Sequence, residues 1–539
     1  MMNKNEQVAK VTTPLPPREG QVGESSPCPD EGQGGGSHWR WYLCALLFAA
    51  TMVNYLDRQV LSLTWKDFIA PEFHWSDSDY GNITAAFSLF YAFVSLFAGK
   101  FIDWVGTKRG YLIAIFVWSL GACLHATGGW LTMHLHGLDS AEALRAVEAG
   151  STLAVAVSTT SVWLFLVFRV VLAVGESGNF PAAIKVTTEY FPKKDRALAT
   201  SIFNAGSSVG ALIAPLSVPF LARAYGWEWA FILIGALGFL WMGFWHWMYE
   251  SPEKCPHVNE AELAYINLDS PSALPVREGA GASDADNRPT DMKQSAPSLT
   301  GRAEGETESL TLLQCFRLRP TWAYICGKFF TDGVWWFLLF WAPAYFSDQY
   351  GYRSDSAMGA MLIFVVYLIV TVVSIAAGGL LPKYFMVRRG MEAYAGRLRA
   401  MLFFAFLPVF SLFAQPLGLW SAWWPAIIIG LAGAGHQSWS ANLYNTVGDM
   451  FPKSAVATIT GIGTMVGGIA SFIVNKGAGK LFDYSAALGA DFQFIGFEGK
   501  QAGYMIVFCY CAVAYLFAWC VMKLIVPEYK RIDANHPSL

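Results

Sequence analysis

Arg169 and Glu176 stand seven residues apart in the run SVWLFLVFRVVLAVGESGNFP, with nothing charged between them. The run is apolar enough to lie in a bilayer, where a charge costs roughly 3 kcal/mol or more. Seven residues is close to two helical turns, so both side chains lie on one face, about 10 Å apart along the axis. An arginine and a glutamate on one stripe of a membrane helix suit a polar cavity and a moving proton. The alternative is a helix-packing ion pair. Asn54-Tyr55-Leu56-Asp57-Arg58 ends the first apolar run and again sets an acid beside an arginine. It reads either as an interfacial turn anchored by Tyr55 and Arg58 or as part of the same cavity.

Two later stretches also place chemistry at bilayer depth. In Lys328-Phe-Phe-Thr-Asp332-Gly-Val-Trp335-Trp336-Phe337, Lys328 and Asp332 are four residues apart and can pair. The aromatics that follow offer faces to the apolar side of a sugar, or simply fill a core. Gly435-His436-Gln437-Ser438-Trp439-Ser440 brings imidazole, amide and hydroxyl groups into another apolar run. Gly206-Ser207-Ser208-Val209-Gly210 fits the pattern of a hydrolase nucleophile, but that chemistry needs a strand-to-helix elbow. Inside a membrane span, Gly206 and Gly210 read as a small-residue packing face.

The elements that hold these groups follow from composition. Of 539 residues 54% are hydrophobic and only 14% charged, against about 25% charged in soluble chains. A net charge of −3 is too near neutral to imply a nucleic-acid partner, and none is expected. The nine cysteines are scattered without metal-type spacing, so neither a metal site nor a cofactor is expected. At about 20 residues per span, twelve apolar runs centre near Phe48, Phe90, Phe116, Phe165, Gly210, Gly238, Phe337, Val370, Phe406, Leu431, Gly468 and Ala514. The chain therefore divides into a polar tail 1–37, a six-helix bundle 38–250, a polar linker 251–320, a second bundle 321–527 and a tail 528–539. Residues 1–37 and the linker read as disordered from their Gly, Pro, Ser and charge content. No cleaved leader is expected, so the run from about Trp39 stays as a membrane anchor.

Short loops on one side collect Lys100, Lys108, Arg109, Lys185, Lys193, Lys194, Arg196, Lys383, Arg388, Arg389, Arg397, Arg399 and Lys523. By the positive-inside bias both termini and the linker face the cytoplasm. Phe191-Pro192-Lys193, Ala199-Thr200 and Gly206-x-x-Val209-Gly210 reappear as Phe451-Pro452-Lys453, Ala457-Thr458 and Gly463-x-x-Val466-Gly467. One six-helix unit has thus been duplicated, which is the parallel-repeat plan of alternating-access transporters.

Gly99-x-x-x-Asp103-x-x-Gly106-x-Lys108-Arg109 joins the second and third runs, and it resembles the cytoplasmic loop signature of the major facilitator superfamily. The resemblance implies an all-α membrane protein of twelve transmembrane helices in two pseudo-symmetric bundles. It also implies a gating role for these five residues, latching the outward-open state. The second half departs, because Lys383 falls where the acid belongs after Gly379. Tyr55-x-Asp57-Arg58, Arg169 with Glu176, and Glu189-x-Phe191-Pro192-x-x-x-Arg196 resemble the anion–cation symporter branch of that superfamily, from about Trp39 to Pro527. That branch implies that Arg58 binds the substrate carboxylate, that Asp57 and Glu176 carry protons, and that Arg169 switches between the acids. The helix-ten His436-Gln437 pair, Phe203-Asn204-x-Gly206-Ser207-Ser208 and the run at Lys328 resemble hexuronate transporters.

The expected substrate is then a hexuronate, taken up with protons by a functional monomer in a cell membrane. Tyr55, Tyr91, Gln437, Ser438 and Asn442 would meet its hydroxyls, with His436 beside them and Trp335 and Trp439 offered to the ring. Protonating the acids frees Arg58, so proton and anion binding are positively linked. The rival substrates are other organic anions such as aldonates or glucarate. A membrane sensor on the same fold is the rival from another class, and no enzymatic motif survives scrutiny. The stretch 137–160 has no functional reading from sequence.

Overall fold

The computed structural model describes residues 38–267, 312–451 and 453–527. Both tails, the middle of the linker and the side chain of Asp103 lie outside the described residues. Among the described residues, twelve helices of 14 residues or more follow one another: α1 Trp39–Thr64, α2 Asp77–Val105, α3 Thr107–His125, α4 Thr152–Glu176, α5 Lys193–Tyr225, α6 Trp227–Met248, α7 Arg319–Tyr350, α8 Ala357–Arg388, α9 Ala393–Phe406, α10 Trp423–Met450, α11 Lys453–Leu488 and α12 Gly499–Ile525. Every predicted span centre falls within or, for Phe406, at the end of one of them. Side-chain caps start several: Ser76 and Asp79 form a capping box on α2, and Ser151 and Ser356 cap α4 and α8. Gly106 (φ 90°) and Gly226 (φ 101°) are the single residues linking α2 to α3 and α5 to α6, turns that an L-residue rarely makes.

Eight of these helices are long and apolar enough to cross a membrane, and α3 with its continuation Gly128–His136, bent by 49°, makes a ninth. The three that fall short in apolarity are α1, α7 and α10. They fall short because they carry the charges, amides and imidazole singled out from the sequence.

The duplicated motif does the same mechanical work twice. Each copy opens a long helix, α5 or α11. A Cβ at Gly206 or Gly210 would meet the α1 backbone at Phe48 and Met52; one at Gly463 or Gly467 would meet Tyr324 and Asp332 of α7. Small residues let each pair of helices approach closely, which is how membrane helices pack without a hydrophobic driving force.

At one end the two halves are locked together. Lys66 reaches Asp77 at 3.2 Å and Asp348 at 2.9 Å, while Lys500 pairs with Asp348 at 2.6 Å and also with Asp77. Asp483 of α11 accepts the N–H groups of Asp77 (2.9 Å) and Ser78 (2.7 Å), so a carboxylate from the second half caps the first turn of α2. Beneath this ring Trp65 stacks on Tyr80 at 4.0 Å, and the Tyr80 hydroxyl donates to Phe340 O. At the opposite end, where the basic loops lie, nothing stands within 4 Å of a Cβ built on Gly99 or Gly379. The halves are tied by ion pairs at one end, and at the other these two glycines face open space.

Two stretches that sequence reading left as linker or without a role are built. Residues 251–267 strap the N-terminal bundle. Glu262 accepts the N–H groups of Trp39 and Arg40, the first donors of α1, and the Tyr265 hydroxyl donates to Asp195 at 2.6 Å. The polar composition that signalled a loose linker belongs mostly to residues beyond 267. In the 137–160 stretch, helix Ala141–Arg145 buries Leu144 and pairs Arg145 with buried Glu72 at 2.7 Å. It fastens the turn that follows α1.

Candidate functional site

Arg58 and Glu176 meet halfway along the N-terminal bundle. Nε of Arg58 lies 2.6 Å from Oε2 of Glu176, and both side chains are essentially excluded from solvent (3% and 0% exposed). The partner of Glu176 is thus Arg58 on another helix, not the arginine on its own stripe. The reason is geometric: two helical turns separate Arg169 from Glu176, about 10 Å, too far for contact. Arg169 is equally buried, its guanidinium lies 5.5 Å from the Phe87 ring centre, and its Nε has no partner among the described residues. Asp57, Glu176, Tyr80 and Arg58 are within its electrostatic reach. Two arginines and two carboxylates therefore form one buried cluster whose formal charges cancel.

Around Arg58 stands an aromatic cage. Its guanidinium carbon lies 4.5 Å from the ring centre of Tyr91, 5.1 Å from Tyr55, 5.6 Å from Trp336 and 5.8 Å from Phe87. Rings at this range attract a desolvated cation while leaving its edge for an anion. Nη2 of Arg58 and Oε1 of Glu176 are buried without a partner among the described residues, so the pair keeps an unused donor and acceptor. Trp336 comes from α7, which makes the cage a joint product of both halves.

The C-terminal groups divide. Lys328 pairs with Asp332 at 2.6 Å and donates to the Tyr444 hydroxyl at 3.2 Å. Trp335 stacks on His436 (5.2 Å, 7°), whose Nδ1 lies 2.7 Å from the Tyr515 hydroxyl. Trp439 is wholly buried, edge-on to Tyr515. Asn442 donates to Gly378 O and Ser438 O, joining α10 to α8. His436 and Asn442 thus bond within the C-terminal bundle, whereas Ser438 Oγ and Trp439 Nε1 are buried without a partner among the described residues. Gln437 is half-buried, two turns before Tyr444 on the same face of α10.

Sequence reasoning brought Tyr55, Arg58, Tyr91, Asp57, Arg169 and Glu176 to one place. It passed over Phe87, Trp336 and Tyr444. Trp336 was legible as part of an aromatic run, but consecutive residues differ by about 100° around a helix, and the run alone does not say which of Trp335 and Trp336 turns to Arg58. Phe87 and Tyr91 are an i,i+4 pair whose signal is no stronger than that of any aromatic stripe.

The loop signature sits at the open end. Lys108 reaches Glu250 at 2.7 Å, and this hydrogen bond holds the Glu250 carboxyl below its ordinary range. The Thr107 and Tyr249 hydroxyls both donate to Glu189. These contacts, with Gly106 and Arg109, line a surface cavity of about 430 Å³ between α2, α3, the end of Asn179–Tyr190 and the end of α6.

Residues 47–475 match the model of the Major Facilitator Superfamily. The Hexuronate transporter of Escherichia coli (strain K12) is 27% identical over 447 residues, which span 82% of this chain and 88% of that one. The protein named "Probable galactarate/D-glucarate transporter GarP" from the same strain is 24% identical, spanning 92% of this chain and 97% of its own. Among solved structures, a bacterial homologue of the human lysosomal transporter Spinster, in an inward-facing and unoccupied conformation, superposes with a TM-score of 0.61 at 17% identity over 92% of this chain and 99% of its own. A D-xylose–proton symporter does so with a TM-score of 0.58 at 15% identity, over 89% and 97%. The fold of both is the one described here, and the chain is a multi-pass membrane protein of a transporter family rather than an enzyme. It belongs to the major facilitator superfamily.

Proposed function

We propose that this protein is a proton-coupled symporter that imports an organic anion, a hexuronate first among them, by alternating access. The observation that carries this reading is the buried 2.6 Å pair of Arg58 and Glu176 inside a cage drawn from both halves. A sugar-acid carboxylate entering between the halves competes with Glu176 for Arg58, whose planar fork suits bidentate capture. Glu176 releases Arg58 when it takes a proton. The cluster then gains one positive and one negative charge together, so the buried site never carries an uncompensated charge. Asp57 offers a second proton site, and Arg169 faces both acids. A second proton would make transport electrogenic, worth about 2.3 kcal/mol per charge per 100 mV.

If the basic loops face the cytoplasm, the locked end is the outer one and this conformation faces inward, with both termini cytoplasmic. The hexuronate relative supports the substrate class, and the galactarate/D-glucarate relative supports a second reading, a dicarboxylate of the same carbon skeleton. Purified protein in liposomes with an acidic exterior should accumulate labelled galacturonate. Glucuronate, galactonate, glucarate and phosphate should then be added as competitors. Competition by phosphate and not by sugar acids would sink the substrate reading, and accumulation indifferent to the pH gradient would sink proton coupling.

A further inference from the structure

Lys328 and Asp332 are a second buried ion pair, and neither the bundle packing nor the Arg58 cluster accounts for it. Their side chains are 4% and 11% exposed. A buried pair of this kind is weak evidence of stability, since well-packed apolar residues do as well or better. The bundle has made room for it: at position 467 only glycine clears the Asp332 carboxylate. The pair also faces the other half. Lys328 Nζ donates to the Tyr444 hydroxyl and lies 4.6 Å from that ring, and Asp332 stands one turn before Trp336, the α7 member of the Arg58 cage. Lys328, Asp332 and Trp336 thus share one face of α7, with Arg58 of the other half 5.6 Å from the Trp336 ring.

The pair's unused valences define what it can hold. An ammonium has three donors; Asp332 and Tyr444 occupy two, leaving one. Asp332 Oδ1 is buried with no partner among the described residues. One donor and one acceptor side by side, with no net charge, fit two neighbouring hydroxyls: one accepts from the ammonium and the other donates to the carboxylate. A second carboxylate at this point would face Asp332 directly, and like charges in a dry site cost several kcal/mol.

We propose that the Lys328–Asp332 pair reads the hydroxyl end of a sugar acid whose carboxylate is held at Arg58, and that it selects monocarboxylates over dicarboxylates. This rests on the sugar-acid symporter reading above. The test pair is galacturonate and galactarate, which share a skeleton and differ by the second carboxylate. Each is titrated against labelled galacturonate uptake in proteoliposomes, and against binding to purified protein. Wild type should prefer galacturonate by about tenfold or more. Asp332→Asn, which leaves Lys328 as an uncompensated cation, should move the ratio by about tenfold toward galactarate. The double variant Lys328→Gln with Asp332→Asn restores neutrality and should return the ratio toward wild type. It serves as the second readout if the single variant does not fold. A ratio unchanged in Asp332→Asn, or galactarate preferred by wild type or by the neutral double variant, overturns the selectivity role alone. Wild-type protein that takes up neither acid overturns this inference together with the reading it rests on.

Discussion

Arg58 and Glu176 reach each other from α1 and α4, 118 residues apart in the chain, whereas Lys328 and Asp332 sit one turn apart on α7. α1 and α7 are the corresponding first helices of the two repeats, and the same glycine motif on α5 and α11 brings each against its neighbour. The skeleton has been kept and the charges have been redistributed. Breaking a pair that bridges two helices changes the force between them, so protonation there can be felt as movement. Breaking a pair that lies along one helix chiefly changes the local potential, since the ion pair itself spans no helix boundary. On the proposed reading, that difference gives coupling to the N-terminal half and discrimination to the C-terminal half.

The largest expected effect tests the first assignment. Arg58→Gln leaves Glu176 buried without its cation, and orphaning one member of a buried pair costs about 3–5 kcal/mol. Transport should fall by roughly 100-fold or more, with a lowered melting temperature in detergent that Arg58→Lys partly restores. Full uptake by Arg58→Gln would remove this cluster from the mechanism.

The next effect separates the halves. Glu176→Gln can no longer exchange a proton for Arg58, so counterflow of labelled against unlabelled galacturonate should persist while accumulation driven by an acidic exterior disappears. Asp332→Asn should keep both: counterflow persists and accumulation of galacturonate still follows the pH gradient, with altered affinity. Accumulation by Glu176→Gln, or its loss in Asp332→Asn, would dissolve the division of labour between the halves.

Much of this was legible in the sequence because burying charge is expensive. Arg58, Asp57, Arg169, Glu176, Lys328 and Asp332 announced themselves as ionisable groups in apolar runs, and all of them are buried in the structure. Partner choice was not legible. Pairing of Arg58 with Glu176 depends on the rotation of α4 against α1, which no spacing within either helix encodes. The same limit applies to α10. His436 and Asn442 carry chemistry suited to a sugar, and the structure also gives them Tyr515 and Gly378 as partners, which spacing along α10 does not name. The strap at 251–267 was hidden for another reason. Glu262 works by capping a helix more than 200 residues earlier, and a lone glutamate in a polar stretch gives no sign of that.

The smallest effect returns to the two halves through their loop signatures. Gly99 and Gly379 both face open space in this conformation, so Gly→Leu at either costs no packing here and gains up to about 1 kcal/mol of helix propensity. Melting temperature should hold or rise for both. The glycines differ in what surrounds them: Gly99 is followed by Gly106, Lys108 and Arg109, with Lys108 tied to Glu250, whereas Gly379 is followed by Lys383 in place of the acid. If the open end closes on the intact signature, a leucine at 99 obstructs closure, and a penalty of about 1.4 kcal/mol on the closed state lowers its population relative to the open one about tenfold. Turnover of Gly99→Leu should fall accordingly, while Gly379→Leu stays within about twofold of wild type. Equal slowing by both would mean that the ends close symmetrically. The loss of the acid in the second signature would then have no mechanical consequence, and the asymmetry of the halves would be confined to their buried charges.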